Sequence, residues 1–144
     1  MPQPKIRILL ADDQPEIVET VTRLLKDEFD IIAAVTNGNR VIEVAARLAP
    51  DLLVLDISMP IMNGIEAAAR LRESGSKARV IFLTVNEDPC IVEAAFLIGG
   101  LGYVLKQRLT TDLIPAIRRA QQDCIFVSPM KLADSNRWPQ AVVT

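Results

Sequence analysis

The chain has 144 residues, of which half are apolar and 24% charged, a balance found in globular proteins with a real core. A formal net charge of −2 disfavours direct binding to a polyanion, and no run approaches the ~20 apolar residues that span a bilayer, so neither nucleic acid nor membrane is expected as a direct partner. Histidine is absent, which excludes His-based triads, His metal ligands and His general bases.

Strand-like and helix-like segments alternate along the chain. Met1 to Leu10 lacks the length and cleavage pattern of a leader, so none is expected. Ile6 to Ala11 reads as a first strand and Pro15 to Phe29 as a first helix, with Ile17, Val18, Val21, Leu24 and Leu25 at helical spacing. Asp13 is the expected cap of that helix, and Pro15 suits its first turn. Ile31 to Val35 is the second strand. Arg40 to Leu48 is the second helix, stopped by Pro50. Leu52 to Leu55 is apolar on both faces, as a central covered strand should be. Ile65 to Arg72, Val80 to Thr84, Pro89 to Ile98, Tyr103 to Leu105 and Leu113 to Gln121 follow as helix, strand, helix, strand and helix. Pro115 then requires the last helix to start near Asp112. Cys90 and Cys124 show neither metal spacing nor a disulfide framework and are expected to be small packing residues in a reducing compartment.

This alternation implies a flavodoxin-like doubly wound (βα)5 α/β domain, with a five-stranded parallel sheet in the order 2-1-3-4-5. Residues 1–124 are expected to form that domain and 125–144 a tail or a truncated linker. Asp134 to Pro139 reads as a loop or a disordered segment.

Parallel strands point their carboxyl ends to one side, so the residues at those ends meet. Strand 1 ends in Asp12-Asp13, strand 3 in Asp56, strand 4 in Thr84 and strand 5 in Lys106. Crowded carboxylates repel unless a cation joins them, and hard oxygen donors at an open site suit Mg²⁺. A metal ion opposite a lysine is an arrangement that stabilises a transferring phosphoryl group, and a carboxylate can be its acceptor. Each residue alone has a plainer role, Asp12-Asp13 as a helix cap and Asp56 as a turn residue. The conjunction at four strand ends favours chemistry.

These residues resemble the receiver domain of bacterial response regulators over roughly Lys5 to Gln121. The resemblance rests on Leu-Leu-Ala-Asp-Asp, Leu-Asp-Ile-Ser-Met-Pro-Ile-Met-Asn-Gly, Leu-Thr and Gly-Tyr-Val-Leu-Lys at strands 1, 3, 4 and 5. The strand-3 segment, and Ala-Ile-Arg-Arg followed by Phe-Val-Ser-Pro, look most like the subfamily that carries a LuxR-type helix-turn-helix output domain. The resemblance implies that Asp56 accepts a phosphoryl group from a sensor histidine kinase in the cytoplasm. It implies that Asp12, Asp13, Asp56 and the Ser58 carbonyl hold Mg²⁺, and that Lys106 pairs with the phosphoryl oxygens. Thr84 would swing to the phosphoryl group, and Tyr103 would turn inward with it. Such a domain is a self-limiting switch rather than a turnover enzyme.

Three features depart from the family pattern. Val85 follows Thr84 where a smaller residue is usual and is expected to narrow the mouth of the site. Gln107 stands where a cis-proline often follows the lysine, so a trans bond is expected. The fourth helix is unusually apolar, with Glu93 the one charge from Cys90 to Leu101, and Leu97 and Leu101 are expected to expose a face for a homodimer or a target protein. Two other classes fit less well. An Asp-nucleophile phosphohydrolase needs an Asp-x-Asp pattern and a cap domain, and a flavin or nucleotide binder needs a phosphate-cradling loop where this chain has Asp-Asp-Gln-Pro. A receiver fragment of a DNA-binding transcription factor fits as well as a single-domain regulator.

Overall fold

Alternation of apolar residues along each strand decides the architecture. In a computed structural model, which describes residues 4–130, Leu9, Leu53, Leu55, Phe82, Tyr103 and Leu105 face one buried layer, and Ile8, Leu10, Leu52, Val54, Ile81, Leu83 and Val104 face the other. The strands are β1 (Arg7–Ala11), β2 (Asp30–Val35), β3 (Leu52–Asp56), β4 (Arg79–Thr84), β5 (Gly102–Leu105) and β6 (Phe126–Val127). They pair in parallel in the order β2-β1-β3-β4-β5-β6. The helices are α1 (Pro15–Leu25), α2 (Gly38–Leu48), α3 (Gly64–Glu73), α4 (Pro89–Leu97) and α5 (Leu109–Gln121). Helices α2, α3 and α4 cover the first layer through Val41, Val44, Ala68, Leu71, Val92 and Ala95. Helices α1 and α5 cover the second through Val21, Leu25, Leu113, Ala116 and Ile117.

The doubly wound five-strand order expected from the sequence is present, extended by one strand. Residues 126–127, expected in the tail, pair with Gly102 and Tyr103 of β5. The expected loop at 134–139 lies outside the described residues. Several local expectations need correction. Asp13 does not cap α1: the cap position is Gln14, without a side-chain bond, and Asp12 takes the Gln14 amide at 2.8 Å instead. Helix α1 ends at Leu25, yet Phe29 remains buried, its amide on the Leu25 carbonyl at 2.8 Å. Helix α5 starts at Leu109, so Pro115 lies inside it. Pro115 and Thr111, whose carbonyl loses its helix partner, are both exposed, and water can take the missing bond. Both cysteines are exposed rather than packed. Leu101 is half-buried against the α1/α5 layer, which leaves Leu97, 74% exposed, as the solvent-facing leucine of the pair. Among the described residues all peptide bonds are trans, including the one before Gln107, and no helix is long and apolar enough to cross a membrane.

The start of α2 sits against the loop after β3. The Gly38 amide donates to the Met62 carbonyl at 3.1 Å, and a Cβ at Gly38 would lie 2.3 Å from that same oxygen. Gly38→Ala should therefore destabilise the domain by about 1–3 kcal/mol, the range of an overpacked contact. Urea denaturation measures this, and an unchanged midpoint would show that the loop can yield.

Candidate functional site

The site is built by strand ends. β1 runs out into Asp12, which is fully buried and whose amide donates to the Val35 carbonyl at 3.0 Å. β3 ends on Asp56, 2% exposed. The chain then folds back so tightly that the Gly64 amide reaches the Ile57 carbonyl at 3.0 Å, and a Cβ at Gly64 would stand 2.3 Å from the Asp56 carbonyl oxygen. Glycine at this position lets α3 begin beside the acid. The Ser58 amide donates to Asp56 Oδ1 at 3.1 Å and fixes the carboxylate rotamer.

Asp12, Asp13 and Asp56 each offer an oxygen, and the three oxygens lie within 4.8 Å of one another. Lys106 crosses from the end of β5 to meet them. Its Nζ is 2.9 Å from Asp12 Oδ2 and 3.2 Å from Asp56 Oδ2, with only 8% of the side chain exposed. It also donates a hydrogen bond to a neutral group, Gln14 Oε1 at 2.7 Å. Asp12 Oδ2, buried and close to that ammonium, makes no hydrogen bond of adequate geometry. A buried carboxylate oxygen without a hydrogen bond, beside two further carboxylates, fits a hard divalent cation.

Burial raises the pKa of Asp56 from 3.8 to about 6, the charge of Asp12 adds to the rise, and Lys106 and the Ser58 amide oppose it. The acid is therefore ionised at neutral pH but at a cost.

Thr84 ends β4, 2% exposed, and its Oγ1 accepts from the Asn86 amide at 2.9 Å. Tyr103 is fully buried and donates to the Asn86 carbonyl at 2.8 Å. Burial pushes its phenol up to about 12, so it stays a neutral donor. One residue, Asn86, thus ties both side chains to the β4–α4 loop. Tyr103 points inward in this conformation. Val85, next to Thr84, is 70% exposed. Asp12, Asp13, Asp56 and Lys106 meet at the carboxyl edge of the sheet, and Thr84 ends the neighbouring strand β4. Gln14 and Asn86 escaped the sequence reading. Gln14 adjoins the acid pair and could have been suspected, whereas Asn86 acts through its backbone and left no signal.

The sequence profile described as the response regulator receiver domain matches residues 8–118. The chain belongs to that family. It is 31% identical over 136 residues to the transcriptional regulatory protein LnrK of Bacillus subtilis, covering 92% of this chain and 62% of the relative. It is 36% identical over 115 residues to the nitrate/nitrite response regulator protein NarL of Escherichia coli K12, covering 78% of this chain and 53% of that one. The chain thus spans less than two thirds of the length of these relatives. Among solved structures, the signal receiver domain of the response regulator NarL from Mycobacterium tuberculosis superimposes with a TM-score of 0.79 at 28% identity, over 83% of this chain and 98% of the other. A LuxR-family response regulator from Aurantimonas gives 0.77 at 27%, over 83% and 86%. The domain is a phospho-accepting receiver of two-component signalling, a signalling switch of the kind that sensor histidine kinases phosphorylate and that binds Mg²⁺ in an acidic pocket.

The raised pKa of Asp56 has a stability consequence. Folding favours its protonated form, so the domain loses stability as pH rises from about 4 to about 6, and the loss is complete above that. At about 1.4 kcal/mol for each pH unit, Asp56→Asn should stabilise the metal-free domain at pH 7.5 by at most about 3 kcal/mol, and the gain should vanish at pH 3.5. Chemical denaturation at the two pH values tests this; equal gains at both would contradict it.

Proposed function

We propose that Asp56 is the phosphoryl acceptor of this receiver. A carboxylate oxygen of Asp56 attacks the phosphorus of a phosphohistidine on a sensor kinase. The P–O bond forms as the P–N bond breaks, and the electron pair leaves with the imidazole nitrogen of the donor. The observation that carries this reading is the Lys106 ammonium 3.2 Å from Asp56 and 2.9 Å from Asp12, where developing negative charge on phosphoryl oxygens would meet it. Asp12, Asp13 and Asp56, with the backbone carbonyl of Ser58, would hold Mg²⁺, which supplies charge neutralisation for the transfer. These 144 residues include no histidine, so the donor imidazole lies outside them. That the protein works in the cytoplasm is part of the same reading.

Thr84 and Tyr103 act as the switch. The Thr84 hydroxyl hydrogen can turn to a phosphoryl oxygen while its oxygen keeps the Asn86 amide, so phosphorylation biases the β4–α4 loop through Asn86 and thereby Tyr103. Shifting a two-state population from 1:99 to 99:1 takes about 5.5 kcal/mol, within reach of a few charge-assisted bonds. With Mg²⁺ and acetyl phosphate, intact mass should show one phosphoryl group on the wild type and none on Asp56→Asn. Stoichiometric labelling of the variant would refute the assignment.

The readout in this proposal is protein contact through α4. Leu97 is 74% exposed on a helix with little charge, a surface suited to a second copy of the chain. The named transcriptional regulators of which this chain spans 53–62% support a second arrangement, in which the receiver belongs to a longer DNA-binding factor. Light scattering should give a doubled mass on phosphorylation and a monomer for phosphorylated Leu97→Glu. A monomer for the wild type in both states would count against the dimer.

A further inference from the structure

Lys106 must point accurately, yet it stands in a turn with no proline ring to preset the backbone. It opens a single 3-10 turn, Lys106–Arg108, between β5 and α5. What holds the turn is a buried carboxylate on another element. Asp112, 4% exposed in the first turn of α5, accepts from Arg108 Nε at 2.8 Å and from its second guanidinium nitrogen at 3.3 Å. It also accepts from the Ser128 hydroxyl at 2.6 Å, a length typical of a charge-assisted bond. The same Ser128 oxygen accepts from the Leu105 amide at 3.0 Å, and the Ser128 amide donates to the Tyr103 carbonyl at 2.9 Å.

The residue before Lys106 and the residue two after it are therefore tied to one carboxylate, the first through Ser128. Ser128 is 2% exposed and follows β6 directly, so residues 126–128 serve as the outer jaw of a clip around the lysine turn. A buried acid kept fully bonded in this way is costly to disturb, which makes the clip stiff.

We propose that Ser128, with Asp112 and Arg108, is a positioning device for Lys106. It sets the ammonium against Asp56 and makes phosphoryl transfer depend on the docking of residues 126–128. The inference rests on Lys106 facing the phosphoryl group, as proposed above. Linkage makes the dependence reciprocal: a group bound at Asp56 and Lys106 tightens the docking of 126–128 by the factor by which docking favours it.

The test is labelling of the full chain by acetyl phosphate, with Mg²⁺ affinity measured in parallel by calorimetry. Ser128→Ala leaves Asp112 its two Arg108 bonds, and Arg108→Ala removes a half-exposed side chain, so each opens one side of the clip. Both variants should label roughly tenfold more slowly, because an ångström of misplacement costs that much or more. Mg²⁺ binding should not weaken, since its carboxylates sit on other strands and a displaced ammonium removes a competing charge from Asp12 and Asp56. Ser128→Thr, which keeps the hydroxyl, should restore the rate. In a Lys106→Ala background, Ser128→Ala should add nothing. Wild-type labelling rates in both clip variants would overturn the inference, as would a Thr variant as slow as Ala or an equal further loss in the Lys106→Ala background. A wild-type chain that takes no label at all would instead overturn the assignment of Asp56.

Discussion

The ammonium of Lys106 among three carboxylates is the interaction on which the rest depends. Asp12, Asp13 and Asp56 bring oxygens within 4.8 Å of one another, two of the residues almost without solvent. Such crowding survives only with positive charge nearby, and the protein itself supplies one unit of it through Lys106. The balance is deliberately incomplete. Asp56 still titrates near 6, and Asp12 keeps an oxygen without a hydrogen bond. A site that is short of positive charge in this way favours a divalent cation and a phosphoryl group arriving together.

The parallel sheet is what brings those charges together from positions 12, 56, 84 and 106. Strand positions are readable from apolar runs and their breakers, the helix between successive strands makes them parallel, and parallel strands share one carboxyl edge. That is why the placement of these residues at strand ends is legible in the sequence. The same logic fails one residue away. Asp13 looked like a cap because an acid before a Pro-led helix usually is one. The backbone instead gives the Gln14 amide to Asp12, and Asp13 is left for the crevice.

What the sequence could not reveal is non-local. Ser128 reaches Leu105 across 23 residues and Asp112 across 16, and nothing in Phe-Val-Ser-Pro says that its serine is buried. Leu101 was grouped with Leu97 because both are apolar near the end of one helix, but the chain turns after α4 and carries Leu101 to the opposite layer. Pro115 misled for a related reason. A proline inside a helix removes a hydrogen bond and crowds the carbonyl four residues back, a cost that falls where water can reach that carbonyl, and exposure is a property of the packed helix rather than of the residue.

Strand β6 is only two residues long, yet with Ser128 it occupies the outer edge of β5 from Gly102 to Leu105. An uncovered edge strand is a template for pairing with another chain. Here the edge of β5 is already filled from within, so another chain can pair with β5 only after residues 126–128 are evicted, and the edge that β6 offers in its place is two residues long. So short an edge favours assembly on this flank of the domain through helix surfaces, whose contacts can form and dissolve without rewriting backbone hydrogen bonds.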